Sequence, residues 1–184
     1  YSSVEHMGIM AFLVGLGPVG VVAFIVHMIG HMFAKSALFF GAGEFLQRFE
    51  STKFRLVHDV MRRAPRTGLL FLASLLMLIA VPPSGLFLSE YVLVGEGITQ
   101  HPVLTTGIIL GLAMAGIGMV RHVFGLLFGP VTADEKLDVP AETWNLTHTV
   151  MAIQLTLGIA FGIWMLSGQG WLLISEMSTV AFTL

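Results

Sequence analysis

From Val19 to Phe40 the chain runs twenty-two residues with a single formal charge, Lys35. As a helix rising 1.5 Å per residue, such a stretch is about 33 Å long, enough to cross a hydrocarbon core of about 30 Å. It is too long and continuous for a strand, and a helix satisfies every backbone group within one segment, as lipid demands. The charge inside it narrows the reading further. A lysine at mid-bilayer costs about 2.5–3.5 kcal/mol on insertion scales, so it is usually retained for handling an ion or a proton.

Four more apolar segments accompany this one. With it they run in chain order as A, Ser2–Gly15; B, Val19 to about Phe45; C, Gly68 to about Val94; D, Val103–Phe128; and E, Thr147–Leu166. A weaker amphipathic tail covers 171–184. Only 11% of residues are charged, against about 25% in soluble domains, and mean hydropathy is +0.87. The expected fold is all-α, a polytopic membrane protein forming a single transmembrane domain over residues 1–184. About five transmembrane helices are expected. One of them, segment C, is broken by Pro82, Pro83, Ser84 and Gly85. The chain has no cysteine, which excludes disulfides, thiolate zinc sites and cysteine-ligated iron–sulfur clusters. No cofactor is expected. The sequence starts without an initiator Met or a charged-then-apolar leader, and it reads as cut from something longer.

Six of the nine basic residues (Arg48, Lys53, Arg55, Arg62, Arg63 and Arg66) fall between segments B and C. Between spans this close they are read as a topological signal, not a nucleic-acid surface, and they place the 47–66 linker in the cytoplasm. The acidic D–E linker, Asp134 to Glu142, then falls on the same side. Phe54, Leu56, Val57, Val60 and Met61 alternate with the linker's charges at roughly helical spacing, which predicts a short interfacial amphipathic helix. Small residues four apart (Gly107 and Gly111, Gly111 and Ala115, Gly158 and Gly162) predict close helix packing.

The residues with chemistry cluster along B and C. His27, His31 and Lys35 share one face of segment B and climb about 12 Å. Histidine titrates near neutrality and a desolvated lysine is pulled toward that range, so the three, bridged by water, form a candidate proton relay. A metal is not expected: His27 and His31 could chelate, but that helix offers no third ligand. Glu90 follows the Pro82–Gly85 break, and a helix broken beside an ionisable residue is a recurring ion-site construction. Glu5 and His6, at the inner end of segment A, and His122, beside Arg121 in segment D, are secondary relay candidates. His58, His101 and His148 lie in or near linkers and are expected to be solvated.

Two literal motif matches carry nothing. Gly15, Gly17 and Gly20 fit GxGxxG, but no strand precedes them and Pro18 sits inside. Asn145–Leu146–Thr147 fits a glycosylation sequon, yet the topology puts it inside.

Three motifs occur in order: Tyr1-Ser2-Ser3-Val4-Glu5-His6-Met7-Gly8; His27-x₃-His31-x₃-Lys35-Ser36-Ala37-Leu38-Phe39-Phe40-x-Ala42-Gly43; and Pro82-Pro83-Ser84-Gly85-Leu86-Phe87-x-Ser89-Glu90. In these the chain resembles the antiporter-like proton-channel family shared by respiratory complex I, membrane-bound hydrogenases and multisubunit Na⁺/H⁺ antiporters. It is most similar to the hydrogenase-4 component F and formate hydrogenlyase membrane subunit types. The resemblance implies a fold of about fourteen helices in two inverted five-helix repeats, of which this chain looks like the last five. It also implies an outward half-channel carried by His27, His31, Lys35 and Glu90. Some relatives have lysine in place of the glutamate, and here Glu90 looks like the hydrogenase and ND4-like members.

The function expected from this is proton translocation in the C-terminal half of a subunit of a redox-driven complex, of hydrogenase or complex I type, in the inner (cytoplasmic) membrane. The chain itself would hold no redox or catalytic centre, and nothing in it supports quinone binding. Its partners would be other membrane-arm subunits, an N-terminal antiporter half, redox subunits and the lipid bilayer. The alternatives are a component of a multisubunit Na⁺/H⁺ antiporter and a structural fragment without transport of its own.

Overall fold

The computed structural model describes residues 2–49, 57, 59–129, 141–170, 172, 173 and 176. Among these the regular structure is helical. The helices are α1 (Ser2–Gly15), α2 (Pro18–Phe49), α3 (Val60–Arg63), α4 (Pro65–Leu78), α5 (Gly85–Gln100), α6 (Pro102–Phe128) and α7 (Leu146–Leu166). Helices α2, α6 and α7 are each long and apolar enough to cross a membrane, and α4 is a shorter apolar helix.

Local chemistry sets the boundaries. Gly17 turns the chain between α1 and α2 at φ 82°, a conformation open to glycine. Pro65 and Pro102 open α4 and α6, where a missing amide proton costs nothing. Segment C is broken as expected. After α4, Ala80 takes φ 58°, and Ser84 then caps α5 by accepting the Phe87 amide at 3.2 Å.

Helix α2 is the central post and packs against α1, α4, α5 and α7. Buried apolar clusters lie at each level. Phe45, Phe49, Val57, Val60 and Leu127 pack at one end, Ala34, Leu78, Leu86 and Leu155 in the middle, and Ile9, Leu13 and Leu93 at the other. Two polar contacts fix which linkers share a side. Glu142, from the segment before α7, bonds Arg66 and Thr67 at the start of α4. At the opposite end the Gln100 side-chain amide donates to the Leu16 carbonyl, 3.4 Å away.

The break lies at the depth of the α2 histidines. A β-carbon added to Gly30 would sit 3.2 Å from the Leu86 amide nitrogen. From the other side, a β-carbon on Gly162 of α7 would overlap the Pro83 carbonyl. The Gly158–Gly162 pair therefore does pack closely, with Gly158 against Met77. The Gly107 and Gly111 pair does not: a β-carbon at either would meet nothing within 4 Å, because α6 turns most of its surface outward. In the B–C linker the described helix is the single turn α3. The linker residues Val57, before α3, and Val60, within it, are buried in the core instead of lying on an interface. Phe54 and Leu56 lie outside the described residues, as do Lys53, Arg55 and His58. Of the expected 47–66 linker, residues 47–49 belong to α2, and Pro65 and Arg66 to α4. The expected 171–184 tail is mostly outside the described residues too.

Candidate functional site

Helix α1 joins the expected relay to itself. His6 Nδ1 lies 2.9 Å from His27 Nε2, and the His6 and His31 rings stand 4.4 Å apart, centre to centre. His27 and His31, one turn apart on α2, are 6.4 Å apart and stacked nearly parallel. The sequence spacing correctly puts them on one face, but the side chain between them comes from another helix. His6 and His27 are almost fully buried, and His31 Nδ1 is a buried nitrogen with no hydrogen-bond partner among the described residues.

Lys35 closes one end of this row. Its Nζ donates to Ser2 Oγ at 3.0 Å and sits 5.7 Å over the Phe39 ring. Lys35, Glu5 and Ser2 line a cavity of about 790 Å³ with His122, Gly111, Ala115 and Gly118. His122 is exposed and bonds the Gly118 carbonyl of its own helix at 2.6 Å, so it faces the cavity without joining the histidines.

Glu90 closes the other end. One of its oxygens and one ring nitrogen from each of His6 and His27 lie within 4.8 Å of one another. Glu90, His6 and Glu5 also line a second cavity of about 280 Å³, roomy enough for several waters. The sequence argument against a metal rested on a missing third ligand along one helix. In three dimensions α1 and α5 bring two more donors to His27, so that argument does not hold, although the short His6–His27 hydrogen bond already accounts for how close they lie.

Behind His27 stands Ser89, fully buried on α5. Its Oγ is 2.8 Å from His27 Nδ1 and donates to the Leu86 carbonyl at 2.8 Å. Ser89 belongs to the third sequence motif, yet nothing in the sequence gave it a role. Its position one turn-third before Glu90 was the available signal.

A separate buried polar network lies at the end of the bundle where α2 finishes. Glu44 bonds Arg48 at 3.1 Å and accepts the Asn145 side-chain amide at 2.9 Å. Asn145 and His148 form a reciprocal capping box at the start of α7. His148 Nε2 lies 2.9 Å from Thr67 Oγ1 and 3.2 Å from Glu142 Oε1. His148 was expected to be solvated; it is fully buried, because the cap fixes its ring between α4 and α7. His101, by contrast, is exposed. Burial would raise the Glu142 carboxyl, but the hydroxyl and amide of Thr67, the Arg66 amide and His148 hold it below the usual carboxylate range.

Comparison with known proteins gives one consistent picture. Residues 1–118 match the family described as NADH:quinone oxidoreductase/Mrp antiporter, transmembrane. The chain is 30% identical over 137 residues to a hydrogenase-4 component F homolog of Methylacidiphilum infernorum, covering 74% of this chain and 29% of that protein. It is 25% identical over 161 residues to NADH-quinone oxidoreductase subunit M of Pseudomonas aeruginosa, covering 86% and 32%. It is 31% identical over 159 residues to NADH-ubiquinone oxidoreductase chain 4 of Gloydius blomhoffii, covering 85% and 67%. The chain thus spans about a third of the length of the two bacterial relatives.

Proposed function

Because the chain belongs to the NADH:quinone oxidoreductase/Mrp antiporter transmembrane family, we propose that it forms the C-terminal, proton-translocating portion of a membrane subunit. The parent assembly is a redox-driven complex of the hydrogenase or complex I type. The observation that carries this reading is the row of titratable groups from Lys35 through His31 and His6 to Glu90, with His27 hydrogen-bonded to His6, drawn from three helices and flanked by two cavities. Rows of this kind inside a bilayer are retained for moving charge. Protons move along this row, and electron transfer takes place in partner subunits.

In the same reading the bundle end carrying Arg48, Arg62, Arg63 and Arg66 faces the cytoplasm, and the membrane is the inner (cytoplasmic) one. Partners include the other membrane-arm subunits, an N-terminal antiporter half and redox subunits. The test is proton pumping by the purified parent complex in proteoliposomes. Lys35→Ala should abolish coupled proton uptake while redox turnover with a soluble electron acceptor persists. Pumping at the wild-type rate would refute the relay. A second reading, a cation/proton antiporter component, follows from the Mrp half of the family description. It predicts proton exchange driven by a sodium or potassium gradient without any electron donor.

A further inference from the structure

The hydrogen bonds around Ser89 determine where the protons in the histidine pair reside. A serine hydroxyl has one proton to give. The Leu86 carbonyl can only accept, and Ser89 Oγ lies 2.8 Å from it, so the hydroxyl proton is committed there. Facing His27 Nδ1 at 2.8 Å, Ser89 Oγ must therefore accept, and His27 carries its proton on Nδ1. His27 Nε2 is then a lone pair, and it faces His6 Nδ1 at 2.9 Å, so His6 carries its proton on Nδ1 and donates. The remaining nitrogen, His6 Nε2, is the unprotonated one. Every hydrogen bond in this chain points the same way, from His6 toward α5.

That polarity has a consequence for transfer. An extra proton bound at His6 Nε2 moves the Nδ1 proton to His27, which becomes imidazolium. It goes no further, because Ser89 has no onward acceptor except a backbone carbonyl. Both ring nitrogens of His27 are engaged, so Glu90 has no free nitrogen there to exchange with. His6, in contrast, shares the 280 Å³ cavity with Glu90 and Glu5. We propose that Ser89 is a positioning residue that fixes the tautomers of His27 and His6 and closes the relay at α5, so that protons enter and leave the pair through His6 alone. His27 is a terminal station, and the branch to Glu90 starts at His6. This rests on the relay reading above and adds its order.

The experiment is solid-state NMR of ¹⁵N-histidine in this subunit within the intact membrane complex, where ring nitrogen shifts distinguish the two neutral tautomers. The wild-type spectrum should show His27 as the Nδ1-protonated form only, assigned by loss of the signal in His27→Gln. Ser89→Ala should give a mixture of both tautomers, and Ser89→Thr, which keeps the hydroxyl, should restore the single form. A wild-type His27 protonated on Nε2, or an unchanged tautomer in Ser89→Ala, would overturn the assignment without touching the relay. If Ser89→Ala shifts the tautomer yet leaves coupled proton pumping at the wild-type rate, the positioning role is overturned; the relay reading fails instead if Lys35→Ala pumps at the wild-type rate.

Discussion

The carboxylate of Glu142 accepts the backbone amide and the hydroxyl of Thr67, at 2.9 and 2.7 Å, from seventy-five residues away. With the Arg66 amide at 2.7 Å, it occupies the position of a helix cap that Ala64, the residue preceding α4, cannot provide. A carboxylate there also suits the positive end of the helix dipole.

Glu142→Ala should therefore destabilise the protein by about 1–3 kcal/mol, the range for leaving buried donors unsatisfied. The effect should depend on pH. The folded carboxyl lies below its unfolded value, so its stabilisation is present above the ordinary carboxylate range and is lost as pH falls through the folded pKa. Thermal melting of the purified complex in nanodiscs should show wild type losing stability on acidification below about pH 4.5. Glu142→Gln should lack that part of the slope.

His6 tests the geometry of the relay against the sequence pattern. A path confined to His27, His31 and Lys35 needs no α1 side chain. The observed contacts run through His6, so His6→Gln should slow coupled proton transfer on the order of 100-fold, and by more than His27→Gln does. His122→Gln, which faces the large cavity alone, should stay near the wild-type rate. Proton uptake by reconstituted complex, followed with a pH-sensitive dye, measures all three.

Glu90→Gln keeps the volume of the side chain and removes its titration. Pumping should be lost, while melting temperature should change little, since no ion pair holds Glu90 among the described residues. Glu90→Asp, one methylene shorter, should retain part of the rate. Equal pumping in all three proteins would remove Glu90 from the path.

Gly162 carries a purely steric prediction. A methyl group there meets the Pro83 carbonyl, which belongs to backbone and cannot swing aside. Gly162→Ala should cost about 1–3 kcal/mol. Gly107→Ala, in open space, should be neutral or slightly stabilising, by up to about 1 kcal/mol. Paired melting curves decide between them.

The segments A to E were legible, apart from ends such as that of C, drawn at Val94 where α5 runs on to Gln100, because lipid leaves the backbone no alternative to helices. The break was equally legible, since Pro82 and Pro83 cannot continue a helix. The role of His6 was not. Helical spacing reports which residues share a face, whereas the His6–His27 bond depends on how α1 docks against α2. The polar network at the end of α2 was half written in the sequence. Glu44 and Arg48 stand at i and i+4, and Asn145 and His148 hold the spacing of a capping box. The sequon reading hid the cap, and proximity to a linker hid the burial of His148. Gly107 and Gly111 misled because a small-residue repeat says that a close approach is allowed, not that a neighbour is there.

Helix α7 touches α4 at both of its limits. Near its start, His148 meets Thr67; near its finish, Gly158 meets Met77 and Gly162 meets the chain just past Leu78. Together these contacts act as a bracket around a strut about 21 Å long. α4 cannot slide along its axis or unwind by a turn without releasing both clasps. The position of Glu90, which follows α4 and the break in the chain, is thereby referenced to the bundle end where Glu142 bonds Arg66 and Thr67.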